Sequence, residues 1–180
     1  MQILKRLLIG LAALILILIA AAYMMPNQYG VIRSIKINTS PEKIYPLIAA
    51  PKEWKKWSVW NQRDPNMEML YSGPEIGNGA AWDWKSKSEG NGGMKFTKVT
   101  TNQVVHYELY FEDMGKPSTG NLSLEADGTS TKVTWSMTGT SEGNFMMKLF
   151  APFMDKLVGP DFEGGLKNLK GIAEQSTKNQ

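Results

Sequence analysis

The sequence predicts an α+β domain behind a single apolar helix, its curved antiparallel sheet wrapped around a long C-terminal helix. Three observations carry this expectation. An uncharged apolar run fills residues 7–25. From residue 67 to residue 137 apolar and polar residues alternate with period two between glycine-marked turns. Beyond that, Val158, Phe162, Leu166, Leu169 and Ala173 recur at three- and four-residue spacing. A chain of 180 residues holds one domain with a real core. A sheet with one apolar face must be covered, and the C-terminal helix is the long element available.

Lys5 and Arg6 precede the apolar run, whose nineteen residues rise about 28 Å as a helix, close to the hydrocarbon thickness of a bilayer. Positive charge before the span keeps that end in the cytoplasm. The expectation is a single-pass anchor over residues 1–25 in a bacterial cytoplasmic membrane, crossing it through residues 7–25. The C-terminal domain then lies on the periplasmic or extracellular side. Tyr23 suits the membrane interface. Ala20 and Ala22 supply an A-x-A pattern, so a cleaved signal peptide is the competing reading. Both export the folded part.

Residues 26–30 read as a linker and residues 31–37 as a first strand. A helix then starts either at Ser40 with Pro41 in its first position or through a Thr39–Glu42 capping box, and turns Ile44, Leu47 and Ile48 inward. Pro46 predicts a kink. Pro51 starts a second short helix through WKKWSVW, which holds half of the chain's six tryptophans. Trp54 and Trp57 share a face; Trp60 continues it or lies just past the end. Trp54 is expected to be partly exposed or to face the membrane. Six or so strands follow, carried by the alternations Met67/Met69/Tyr71, Ala80/Trp82/Trp84, Met94/Phe96, Val105/Tyr107/Leu109, Leu122/Leu124 and Val133/Trp135/Met137. Residues 145–157 are apolar and methionine-rich. The final helix is expected to bend at Gly159–Pro160, and Gly165 lies beside its inward stripe, where it permits close approach to the sheet. The folded domain spans residues 31–175 and leaves 176–180 as a polar tail.

Composition excludes several functions. Without cysteine there are no disulfides, thiolate chemistry or sulfur-ligated metals. With 20 basic and 17 acidic residues and arginine only at positions 6, 33 and 63, no nucleic-acid partner is indicated. The single histidine, His106, shares outward parity with Glu108, and Asp83 is outward on its own strand. No acid–base or nucleophile constellation emerges, so no catalytic residue, metal or cofactor is assigned. The GNG and GNGG stretches lack the context of phosphate loops and read as hairpin turns.

The order of these pieces resembles a known family. IKINTSPEKIYPLI at residues 35–48, WKKWSVW at 54–60, GNGAAWDW at 77–84, GNGGM at 90–94, TSTKVTW at 129–135 and FEGGLKNL at 162–169 are similar to the START-like, or SRPBCC, superfamily. They resemble especially its bacterial polyketide cyclase/dehydrase-like members. The resemblance implies a helix-grip fold with an apolar cavity between sheet and C-terminal helix. Carried over, it places Trp57 and Trp60 near one cavity end. Trp82, Trp84, Met94, Phe96, Tyr107, Leu109, Val133, Trp135 and Met137 fall on sheet positions able to face the cavity, and Phe162 and Leu166 face it from the helix. The expected ligand-binding set is Trp57, Trp60, Trp82, Trp84, Met94, Tyr107, Leu109, Trp135, Met137, Phe162 and Leu166, with the Tyr107 hydroxyl as an orienting donor. An ordinary core would require the same list. The functional expectation is a membrane-tethered module binding a lipid or other small hydrophobic molecule. An aromatase/cyclase-type enzyme is one alternative. The other is an envelope protein-interaction module using Met146, Met147, Phe150 and Phe153, a stretch equally able to pack on the sheet or rest on the membrane.

Overall fold

The computed structural model describes residues 2–178. Helix α1 (Gln2–Met24) carries the apolar run, and its residues 2–20 are long and apolar enough to cross a membrane. Strand β1 (Gln28–Ile37) begins earlier than the β-branched stretch suggested, because Gln28, Tyr29 and Gly30 pair with Thr140, Gly139 and Thr138. The connection from α1 is therefore only residues 25–27.

Three short helices follow where two were expected: α2 (Pro41–Ala49), α3 (Pro51–Trp57) and α4 (Val59–Arg63). Ser40 is the N-cap of α2 and Pro41 its first residue, which decides between the two sequence registers. Pro46 stays inside α2. Strands β2 (Glu68–Ser72), β3 (Ala81–Lys85), β4 (Gly92–Thr100), β5 (Val104–Phe111), β6 (Ser118–Asp127) and β7 (Ser130–Thr140) complete a seven-stranded antiparallel sheet. Its order is β1-β7-β6-β5-β4-β3-β2. The last strand leads through α5 (Phe145–Phe150) and a 3₁₀ turn (Ala151–Phe153) into α6 (Met154–Lys178). Pro160 lies inside α6 without ending it. Ser176, Thr177 and Lys178 belong to the helix rather than to a tail, and the rest of the expected tail, Asn179 and Gln180, lies outside the described residues.

Helix α6 crosses the concave face of the sheet. Phe162, Leu166, Leu169 and Ala173 are buried against it. Gly165 sets the approach: a Cβ there would stand 3.0 Å from the Trp135 ring and 3.5 Å from Trp57. Two arginines fasten the helix at its margins. Arg33 on β1 donates to Asp155 and Glu163, each at 2.7 Å. Arg63 forks onto both oxygens of Asp161 at 2.9 and 2.8 Å and reaches Glu89 at 2.9 Å. Such partly exposed pairs add little stability each, but the fork geometry fixes position.

The tryptophans of α3 close the turn before it. The last carbonyls of a helix lack intrahelical donors, and Pro51 has no N–H to offer Leu47. The Trp54 indole donates to the Ile48 carbonyl at 2.9 Å, and the Trp57 indole to that of Leu47 at 3.0 Å. Trp54 is consequently buried, 2% exposed, rather than partly exposed or turned to the membrane.

Candidate functional site

The space between sheet and helix divides into a packed half and an open half. In the packed half, Trp54, Trp57, Trp82, Phe96, Tyr107, Trp135 and Phe162 form one aromatic cluster. Trp135 stacks on Phe162 with centroids 3.9 Å apart and meets Trp54 and Trp57 edge-on at 5.5 and 5.4 Å. Offset-stacked and edge-on pairs each add about 0.5–1.5 kcal/mol beyond their burial. Tyr107 is saturated inside this cluster. Its hydroxyl accepts from Trp135 Nε1 at 2.9 Å and donates to the Ser136 carbonyl at 3.0 Å. Burial pushes the phenol well above its ordinary pKa. The hydroxyl expected to orient a ligand is thus spent on the core.

In the open half lies a cavity of about 140 Å³. Of the residues expected at a binding site, Trp60, Trp82, Trp84, Met94, Leu109, Met137 and Phe162 line it. Trp57, Tyr107, Trp135 and Leu166 do not: they pack where Gly165 draws the helix onto the sheet. Trp54 joins the lining from α3. Trp60, on the separate helix α4, is half-buried and faces Trp135 and Phe162 edge-on at 5.9 and 6.3 Å.

Sequence reasoning placed Met94 and Met137 at the site but missed the other five methionines of the wall. Met67, Met69, Met94, Met114, Met137, Met147 and Met154 all line the cavity, seven of the eleven methionines in the chain. Met67 and Met69 come from the approach to β2 and β2 itself, Met147 from α5 and Met154 from the start of α6. An unbranched, polarizable side chain with three rotatable bonds fills irregular space and re-forms around varied apolar partners. The signal was available: beyond residue 25 every methionine but Met146 belongs to this wall.

Polar groups in the lining are few. Tyr29 and Ser118 share a hydrogen bond of 3.0 Å between their hydroxyls. The Asn61 amide lies 3.4 Å and 3.7 Å from the sulfurs of Met67 and Met69, which are weak acceptors. Glu89 is held by Arg63, and Lys116 pairs with Glu142 at 2.7 Å. His106 and Glu108 alternate with the inward Tyr107 and lie on the outer face, where Tyr110 donates to Asp83 at 2.7 Å. Among the described residues no group of three or more histidine or acidic side chains is placed to hold a metal ion.

A family profile described as polyketide cyclase / dehydrase and lipid transport matches residues 30–174. The chain belongs to that family. No curated protein matches it in sequence. Among solved structures, norcoclaurine synthase from Thalictrum flavum, a point mutant in complex with a transition-state analogue, superposes with a TM-score of 0.65 at 14% identity. That match covers 83% of this chain and 96% of that one. A Chromobacterium violaceum protein gives 0.58 at 15% identity over 83% and 99% of the two chains. Ara h 8.0201 gives 0.59 at 14% over 82% and 99%. At these identities the likeness establishes the fold, the START-like helix-grip. Within that fold this family member carries a methionine-walled cavity at one end and a filled aromatic core at the other.

Proposed function

We propose that the protein is a membrane-tethered binding module that sequesters or presents a lipid or other small hydrophobic molecule. The observation that carries this is the cavity: apolar, walled by seven methionines and open at one end, in a family whose description includes lipid transport. Transfer of about 200 Å² of ligand apolar surface out of water is worth roughly 5 kcal/mol before association costs, enough to hold a ligand drawn from a concentrated source. The few polar groups in the wall suit recognition of one polar end, and Asn61 is the donor with the weakest present partners. The ligand-contacting residues are Trp54, Trp60, Trp82, Trp84, Leu109 and Phe162 together with the methionines. Helix α1 is the anchor, and Lys5 and Arg6 at its start hold the domain on the periplasmic or extracellular side.

The test is recovery of the ligand. The full chain is extracted from its host membrane into an amphipathic polymer and its hydrophobic contents are analysed by mass spectrometry beside a Met154→Trp variant. A molecule retained by the wild type and reduced at least fivefold in the variant is expected. Identical contents in both, reflecting only surrounding membrane lipid, would remove the carrier reading. A recovered pair of precursor and cyclised product would redirect it to the cyclase-type enzyme.

A further inference from the structure

Residues 145–157 hold more apolar side chains than the cavity uses. Met147 and Met154 turn into the cavity wall. Phe145, Met146, Phe150, Phe153 and Leu157 stay outside that wall and are each about half exposed. Five half-exposed large apolar side chains within thirteen residues mark a contact with another apolar phase. The chain itself says which phase. Asn27 follows the end of α1 by three residues, at most about 11 Å of extended chain. Its carbonyl accepts from the Ser141 N–H at 2.7 Å and from the Ser141 hydroxyl at 3.1 Å. The start of α5 is thus tied to the point where the apolar helix ends. Lys148 lies over the ring of Tyr23, 5.3 Å from its centroid, on the last turn of α1.

The cavity mouth lies at the same end. Of the residues lining the cavity only Met114 and Lys116, on the β5–β6 loop, are exposed, which puts its opening there. That loop is held to the approach to α5 by the Lys116–Glu142 pair.

We propose that α5 and the 3₁₀ turn lie in the membrane interface beside α1, with Phe145, Phe150 and Phe153 inserted. The cavity mouth at Met114 then faces lipid rather than water. Apolar rings flanked by lysines (Lys148 and Lys156) fit the boundary between acyl chains and headgroups. The inference rests on α1 acting as an anchor and deepens the binding function: the bilayer is the reservoir from which the cavity exchanges its ligand.

The absence of cysteine makes the test direct. Single cysteines replace Phe150, Phe153, Met114 or, as a control, Thr129, which lies in the β6–β7 turn roughly 30 Å away along the strands. Each full chain carries an environment-sensitive fluorophore and is reconstituted into phosphatidylcholine–phosphatidylglycerol vesicles, with intact mass confirming that α1 is present. Labels at 150, 153 and 114 are expected to shift to the blue and to be quenched at least twofold by doxyl lipids, while the label at 129 responds only to aqueous iodide. Iodide quenching at 150 and 153 equal to that at 129 would overturn the docking and leave the patch to a protein partner. Lipid quenching at 150 and 153 with a water-exposed label at 114 would overturn the orientation of the mouth. None of these readings requires a ligand in the cavity, so loss of the carrier function and loss of membrane docking are separately visible.

Discussion

The indole N–H of Trp57 donates to the carbonyl of Leu47 at 3.0 Å, the acceptor that Pro51 cannot serve. A side chain thereby replaces a missing backbone donor and fixes the angle between α2 and α3. Trp57→Phe keeps most of the ring and removes the donor. Leaving this partly buried carbonyl unpaired costs about 1 kcal/mol or more. Urea unfolding of the full chain in mild detergent, followed by circular dichroism, should show a midpoint lowered accordingly. An unchanged midpoint would mean that water or a shifted helix end satisfies Leu47.

Two glycines of α6 should respond with opposite signs. At Gly165 an added Cβ meets Trp135 at 3.0 Å, and Trp135 has no freedom to yield because it is stacked on Phe162 and bonded to Tyr107. Gly165→Ala is expected to destabilise by about 1–3 kcal/mol in spite of its better helix propensity. Gly171 has nothing within 4 Å of its would-be Cβ, so Gly171→Ala should stabilise by about 0.5–1 kcal/mol. Matched thermal melts decide both.

The methionine wall provides its own probe. Mild peroxide converts accessible thioethers to sulfoxides, and peptide mapping resolves each site. Met69 and Met154, partly buried at the cavity, should oxidise at least threefold more slowly when a ligand occupies it. Met146 lies 58% exposed outside the wall and should oxidise at an unchanged rate. Equal rates at all three, with and without ligand, would place binding elsewhere.

The α6 clamp predicts an acid response. A hydrogen bond from Arg33, aided by its positive charge, holds the Asp155 carboxyl below the usual aspartate range. A depressed folded-state pKa means that protons bind the unfolded chain more readily. The stabilisation is therefore complete above the ordinary aspartate value of about 3.9 and fades as pH falls through the lower folded value. Wild type and Asp155→Asn should differ slightly in melting temperature at pH 7 and draw together as pH falls from about 4 through the lower folded value. Asp155 is exposed, so the difference is small. A gap that keeps its pH 7 size while pH falls well below the ordinary aspartate value would show that the substitution disturbs packing rather than charge.

Much of this molecule is local in origin. Period-two alternation marked the inward residues of β5 and β7, the three- and four-residue stripe marked the buried face of α6, and nineteen uncharged apolar residues marked α1. Each pattern is a property of a few consecutive residues and needs no partner to be read. The family followed from the order of those pieces. Local pattern misplaced Trp54, because its burial depends on the end of a different helix, where the Ile48 carbonyl takes its indole N–H. It also could not divide the inward set. Parity says which face a side chain occupies, not how far away the opposite layer stands. That distance is set by Gly165, where the helix closes onto Trp135, and by the arginine clamps on either side of it. Where the helix touches, Trp57, Tyr107, Trp135 and Leu166 become core; where it stands off, methionines from distant parts of the chain meet around a space. The elements and their inward faces are therefore written in neighbouring residues. Which of those faces meet, and which enclose a cavity, depends on contacts between residues a hundred positions apart, and these exist only once the helix has docked.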